Sequence, residues 1–278
     1  DHTLLFIDGI RANDPAAGNA PRFELVNADM LSRVEVVRGP QSALWGSEAI
    51  GGVVAASGPS GGGTTGLVEG GSFGTWRGAA RTGIGNETTG LSLGIAGQRS
   101  DGIDSFDGTG DRAGSRNLAL RASGQWALTP DLSLSAAAFR LAGVSQFDGY
   151  DQNTYLHADT LDEAHNRLTA GRMAASFGAS DGWHGKLFAS LLGSRNAYFL
   201  GDTFVSEARA QRRTIGAEVG TVLAGQRLLL AGEDERETFD AEFRDKRSHR
   251  SLTAEWRGSL GPVETDVALR RDFFSAFR

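Results

Sequence analysis

From Thr64 onward, apolar side chains recur at every second position. Leu91, Leu93 and Ile95 alternate with Ser92, Gly94 and Ala96, and Leu118, Leu120, Ala122 and Trp126 with Asn117, Arg121, Ser123 and Gln125. The same alternation returns at Ile215, Ala217 and Val219, at Leu252, Ala254 and Trp256, and at Val263, Val267 and Leu269. A period of two marks strands with one apolar face and one polar face. The connections also alternate. Short turns fall at 85–87, 129–131, 180–182, 224–226 and 261–262, and long polar stretches at about 99–116, 142–168, 194–210 and 239–248. Tight turns at one end and long loops at the other are the pattern of an outer-membrane β-barrel. A soluble β-sandwich is the competing reading of the strands alone. Roughly ten or eleven strands are expected.

Composition narrows the choice. The chain has 278 residues, 39 glycines, 6 prolines, no cysteine and a net charge of -6. That acidity argues against a nucleic-acid partner. Without cysteine there is no disulfide framework and no thiolate metal site. No apolar run reaches the roughly 18 residues of a membrane-crossing helix. The mean hydropathy of -0.26 suits a soluble chain, and suits equally a barrel in which only alternate residues meet lipid.

The first 57 residues have another texture. Leu4-Leu5-Phe6-Ile7 is a short apolar strand closed by Asp8-Gly9. Residues 11–21 have loop composition, and Val26 to Leu31 suit a short helix. Residues 33–53 read as a strand from Arg33 to Arg38, a break at Gly39-Pro40, a second turn at Trp45-Gly46 and an apolar re-entry at Ile50-Gly51-Gly52-Val53. These two motifs, in this order, closely resemble the plug domain of TonB-dependent outer-membrane receptors, most of all the cobalamin and siderophore branch.

The resemblance implies a mainly β fold: a partial α+β plug and a partial antiparallel transmembrane barrel, about 10–11 of about twenty-two strands. Residues 1–57 are then the C-terminal part of the plug, 58–63 a glycine-rich hinge, and 64–278 the N-terminal half of the barrel. On this view the plug N-terminus, with its energy-coupling segment, and the C-terminal half of the barrel lie outside the chain. The implied function is energy-coupled uptake of a scarce bulky nutrient, a cobalamin or an iron–siderophore, across a Gram-negative outer membrane. The implied partners are outer-membrane lipid, a TonB-type energy-coupling protein acting through the missing plug N-terminus, and the ligand itself. No catalysis is expected. The alternatives are a surface-displayed β-rich adhesin and an outer-membrane hydrolase.

The resemblance further implies plug–barrel ion pairs. Arg33, Glu35 and Arg38 are the plug candidates, and Arg121, Glu218, Glu255 and Arg257 face them from the barrel; a solvated strand edge is the plainer reading. Ligand contacts are expected from the plug apex, at Arg11, Asn13, Asp14 and Asn19, and from the long loops, at Phe147, Tyr150 and Tyr155. The aromatic residues could equally pack those loops onto the rim. Asp107, Asp111, Asp148, Asp151 and Asp162 could bring several oxygens to a Ca²⁺ ion, as the loops of the cobalamin receptor do; solvated acidic loops are the alternative. The glycines of 39–52 match neither phosphate-binding spacing. The five histidines form no zinc-hydrolase motif, and no nucleophile elbow is present.

Overall fold

The alternating segments form one eleven-stranded antiparallel sheet, in the order of the sequence, in the computed structural model of the protein. The structure describes residues 3–46, 48–86, 88–106, 111–151, 153–179, 182–261 and 263–275. The small N-terminal unit holds β1 (Thr3–Ile7), β2 (Ile10–Arg11), β3 (Asn13–Asp14), β4 (Ala20–Pro21), β5 (Arg33–Arg38), α1 (Ser42–Trp45) and β6 (Gly52–Ser57). Its main sheet runs β2-β1-β6-β5, with β1 and β6 parallel. The stretch expected as a helix near Val26 is two 3₁₀ turns, Phe23–Leu25 and Ala28–Met30, the second capped by Asn27.

The large sheet comprises β7 (Gly63–Gly71), β8 (Thr75–Gly85), β9 (Gly90–Ser100), β10 (Ser115–Thr129), β11 (Leu132–Phe147) and β12 (Asp162–Gly178), then β13 (His184–Leu200), β14 (Thr203–Leu223), β15 (Gln226–Asp240), β16 (Arg244–Leu260) and β17 (Val263–Phe274). Laid flat, eleven strands at about 4.8 Å spacing would be about 50 Å wide. Yet the small unit touches both flanks. Asp29 lies 3.9 Å from Arg77 on β8, and the Leu44 carbonyl accepts from Arg270 on β17 at 3.1 Å. The large sheet is therefore a curved wall, and the small unit sits on its concave side.

The wall's two faces follow the alternation. Leu118, Leu120, Trp126 and Leu252 are exposed on the convex side, and Trp256 is half-buried on that side. Facing inward, Phe139, Leu141, Leu168 and Leu192 form one core with Leu5, Ile7, Ile10 and Leu25 of the small unit. Wall alanines 96, 119 and 170 in that cluster let the two units approach closely.

Two long connections differ from expectation. Residues 194–210 and 239–248 are strand, with tight turns after Leu200 and Asp240. Their composition resembled a loop because both faces are polar there. The backbone ladder persists, and charged cross-strand neighbours replace apolar ones: Arg195 with Glu207, and Arg244 with Asp240 at 2.9 Å. The connections 101–114 and 148–161 remain long.

Candidate functional site

The site is the contact between small unit and wall. Its geometry begins with the 11–22 loop. Asn13 ties the loop to β1: its Oδ1 accepts from the Leu5 N–H at 2.8 Å, and its Nδ2 donates to the Thr3 and Asn19 carbonyls at 2.9 Å. Asp14 caps the 3₁₀ turn Pro15–Ala17 by accepting from the Ala16 N–H at 2.9 Å. Its second oxygen accepts from Arg22 at 3.1 Å and from Asn196 of β13 at 2.8 Å. Gly18 and Asn19 close the turn in the left-handed region, both at φ 61°.

A buried charge network then joins the units. Arg212 on β14 is 2 % exposed. It donates to Glu237 at 2.6 Å, to the Asn13 carbonyl at 2.9 Å and to Asn19 Oδ1. Arg11 pairs with Glu235 at 3.1 Å and with Glu48 of its own unit. Arg247 pairs with Glu237 and lies 3.8 Å from Glu48. Three arginines and three glutamates thus balance. Burial, and then the adjacent Arg212, lower the Arg11 guanidinium to about 10, against the opposing pull of Glu235 and Glu237.

A second clasp lies at the Asp8-Gly9 turn. Arg121 on β10 grips Asp8 with two parallel bonds, 2.7 and 2.9 Å, and both side chains are buried. The same guanidinium donates to the Pro59 carbonyl at 3.2 Å, and Asp8 accepts from the Gly58 N–H at 3.0 Å. A Cβ on Gly58 would stand 2.1 Å from Arg121 Nε, so only glycine fits. The segment expected as a hinge is therefore tied at its first two residues. Beside the clasps lies a cavity of about 410 Å³, lined among others by Trp45, Arg172, Phe188 and Glu233.

Several assignments change. Arg33, Glu35 and Arg38 lie on β5, whose residues are all exposed, and Arg33 pairs with Glu35. Among the described residues, they form no ion pair with the wall. β5 is the outer edge of the small sheet, whereas the β1–β2 turn and the 11–22 loop meet the wall. Among the described residues, Arg121 alone of the four expected wall charges pairs across to the small unit. Glu218 lies 3.9 Å from Lys186, and Glu255 and Arg257 pair with each other and with Asp266, all within the wall. Arg11, Asn13, Asp14 and Asn19 are spent on structure and wall contact rather than presented as ligand contacts.

In the loops, Phe147 packs edge-on against Tyr198, while Tyr150 and Tyr155 are exposed. Tyr150 also packs against His157. Asp111 and Asp148 come together, joined by Asp159, with carboxylate oxygens within 4.8 Å of one another. Asp151 and Asp162 are not in that group. Asp151 closes its own turn, accepting from the Asn153 and Thr154 N–H groups and the Thr154 hydroxyl, which hold it below the usual carboxylate range. Asp162 accepts from the Thr160 hydroxyl at 2.7 Å. Asp107 lies outside the described residues.

Sequence reasoning missed Asp8, Glu48, Arg212, Glu235, Glu237 and Arg247. On β14 and β15 the strand period holds the signal: Arg212, Glu235 and Glu237 take the parity opposite to the exposed, convex-side Ile215 and Leu230. Arg247 was hidden because 239–248 read as a loop.

Comparison with known proteins follows the same division. The family model described as TonB-dependent Receptor Plug Domain matches residues 1–53. These first 53 residues are a plug domain of the TonB-dependent receptor type. Within residues matched to relatives, 53 are 47 % identical to the vitamin B12 transporter BtuB of Vibrio vulnificus strain YJ016, covering 19 % of this chain and 8 % of that protein. The BtuB of strain CMCP6 is 30 % identical over 176 residues, 57 % of this chain and 28 % of that protein. The siderophore receptor PirA of Acinetobacter baumannii superposes with a TM-score of 0.78 at 16 % identity, covering 99 % of this chain and 49 % of that structure. The chain thus spans about half the length of that receptor. These relatives are transporters and receptors, not enzymes, and the fold is that of the receptor plug and barrel wall.

Proposed function

We propose that the protein serves energy-coupled uptake of a scarce bulky nutrient across a Gram-negative outer membrane, with a cobalamin or an iron–siderophore as cargo. One observation carries this reading: the plug is held inside the wall by two buried polar clasps, Asp8–Arg121 and the Arg212 network. Polar clasps can exchange partners with water when pulled, whereas a purely apolar seam has no substitute partner. The interface cavity, about 410 Å³, is near the lower end for drug-sized ligands. A larger nutrient passes along this wall only if the plug shifts. A TonB-type protein in the periplasm supplies that pull, and outer-membrane lipid surrounds the convex face.

The BtuB relatives and the PirA likeness point to different cargoes. Uptake of labelled cobalamin and of labelled ferric siderophore, in cells lacking their own receptors, separates them. Uptake of one, abolished when the energy-coupling protein is deleted, is the expected result. A protein that binds cells or surfaces but imports neither cargo is an adhesin, and the proposal fails.

The proposal extends to calcium at Asp111, Asp148 and Asp159. Three carboxylates supply part of the six to eight oxygens the ion takes. Calorimetry on the parent and on Asp148→Asn tests it, and no heat of calcium binding in the parent overturns it.

A further inference from the structure

The cavity of about 410 Å³ between plug sheet and wall holds charges that the two clasps do not use. Most of the charged side chains lining it have partners. Arg11 pairs with Glu235 at 3.1 Å, Arg33 with Glu35, and Arg270 with Asp272 at 2.9 Å. His249 also meets Asp272, at 2.7 Å, and Lys186 lies 3.9 Å from Glu218. Two lining charges are left. Among the described residues, Arg172 of β12 and Glu233 of β15 form no ion pair and no side-chain hydrogen bond. The Arg172 Nε is buried without a hydrogen-bond partner. Its guanidinium is fixed over the Phe188 ring, 4.6 Å from the centroid, and against the Gly9 turn of the plug. A buried donor left unsatisfied is costly.

The strand register keeps these two charges apart. β12 and β15 are three strand spacings from one another, about 14 Å. Ser190 and then Thr214 continue the cross-strand row that starts at Arg172, and Phe188 and Gly216 occupy the row that ends at Glu233. Cross-strand partners share a face, so all of these positions point toward the plug. The small side chains at 190 and 214, and the glycine at 216, leave room between the charges. The Phe188 ring lies over Gly216 and forms an apolar floor. Phe6 and Trp45, with ring centroids 4.8 Å apart, close the space from the plug side. The cavity thus has a cation at one end, an anion at the other and aromatic surface between them.

We infer that this cavity binds a small zwitterion, a carboxylate on Arg172 and an ammonium on Glu233 joined by a short apolar chain. A guanidinium grips a carboxylate with two parallel bonds and stays charged at every relevant pH. The spacing of the strands selects a molecule with its charges at opposite ends over one carrying both on a single carbon. Such a ligand meets wall charges and plug rings together, so its binding stabilises the docked plug by mass action. It is distinct from the cargo, and the inference does not depend on the uptake reading.

The test is calorimetry of the detergent-purified full-length receptor with ε-aminocaproate, and with caproate and hexylamine, each of which keeps one of the two charges. The parent should bind ε-aminocaproate at least about tenfold more tightly than either, the change expected from one charge-assisted contact. Its unfolding temperature should rise with ε-aminocaproate more than with the other two. Arg172→Gln should bind ε-aminocaproate no better than hexylamine, and Glu233→Gln no better than caproate. Neither change breaks an ion pair among the described residues. Arg236→Ala, on the convex face of β15 and paired with Asp234, should bind like the parent. Should a charge variant not fold, Ser190→Leu, which fills the space between the two charges, should abolish binding instead. Equal affinity of the parent for ε-aminocaproate and caproate makes the cavity a plain anion site and overturns the inference. No heat with any of the three probes overturns it as well.

Discussion

The two faces of β12–β16 hold the same residue types in opposite circumstances. Inside, Arg212, Glu235 and Glu237 are buried, and each charge meets protein partners. Outside, Arg167, Arg195 and Arg209 stand in one row, with Glu207 bridging Arg195 and Arg209 and Asp240 directly opposite Arg209. The difference shows what each face meets. A charge facing the plug must find its counter-charge within the protein, because leaving it unpaired there costs several kcal/mol. A charge facing outward can take its counter-ion from the surroundings. One strand period therefore encodes a plug contact of fixed geometry on one face and, on the other, an outward face whose charges tolerate many neighbours.

Substitutions on the two faces should separate these roles, with the deepest clasp affected most. Arg212→Ala takes one of two arginine partners from Glu237, which keeps Arg247, and removes the donor to Asn19 Oδ1 and the Asn13 carbonyl, so it should cost about 3–5 kcal/mol. Thermal unfolding of the detergent-solubilised receptor would read this. Adding Glu237→Gln should recover part of the loss, since it removes the excess negative charge left among Arg11, Arg247, Glu48, Glu235 and Glu237. If Arg212→Ala unfolds like the parent, the inner network is ornamental.

Arg121→Ala comes next, at about 3 kcal/mol. It should also speed proteolysis at 58–63, because the Pro59 carbonyl loses its donor. Arg121→Lys should fall between, since lysine cannot reproduce the two-bond grip on Asp8. On the outer face, Leu252→Arg places a charge in the apolar band and should cost about 2–4 kcal/mol near the midplane, less toward either boundary. No cost there would contradict a lipid-facing wall. The smallest effect belongs to Arg33→Ala and Glu35→Ala. Both side chains are more than half exposed, and each change should stay within about 0.5 kcal/mol.

The wall was legible because burial on one side leaves a period-two signature wherever the other side is apolar. Leu118, Trp126 and Leu252 declared their face in this way. The signature fades where both sides are polar, so the upper parts of β13–β16 read as loops although their backbone ladders continue, with one register shift between Tyr198 and Phe199. The plug motif was legible as a pattern of strands and breaks. Its wall contacts were not, because parity within β5 cannot say which edge of the small sheet faces inward. Asp8 looked like an ordinary turn residue, and only the fold brings Arg121 to it. The loop carboxylates show the same limit: Asp111 and Asp148 meet, but Asp151, close to Asp148 in sequence, turns to its own backbone.

The account's central claim is that the N-terminal unit sits inside the wall as a plug, clasped by buried charges. Asp8 and Arg121 are 113 residues apart in sequence, and nothing but this docking brings them together. A double-mutant cycle with Asp8→Ala and Arg121→Ala, read by thermal unfolding of the receptor in detergent, tests the claim directly. The account predicts a coupling of about 1–3 kcal/mol, as for residues in contact. Additive effects, within about 0.5 kcal/mol, would contradict it.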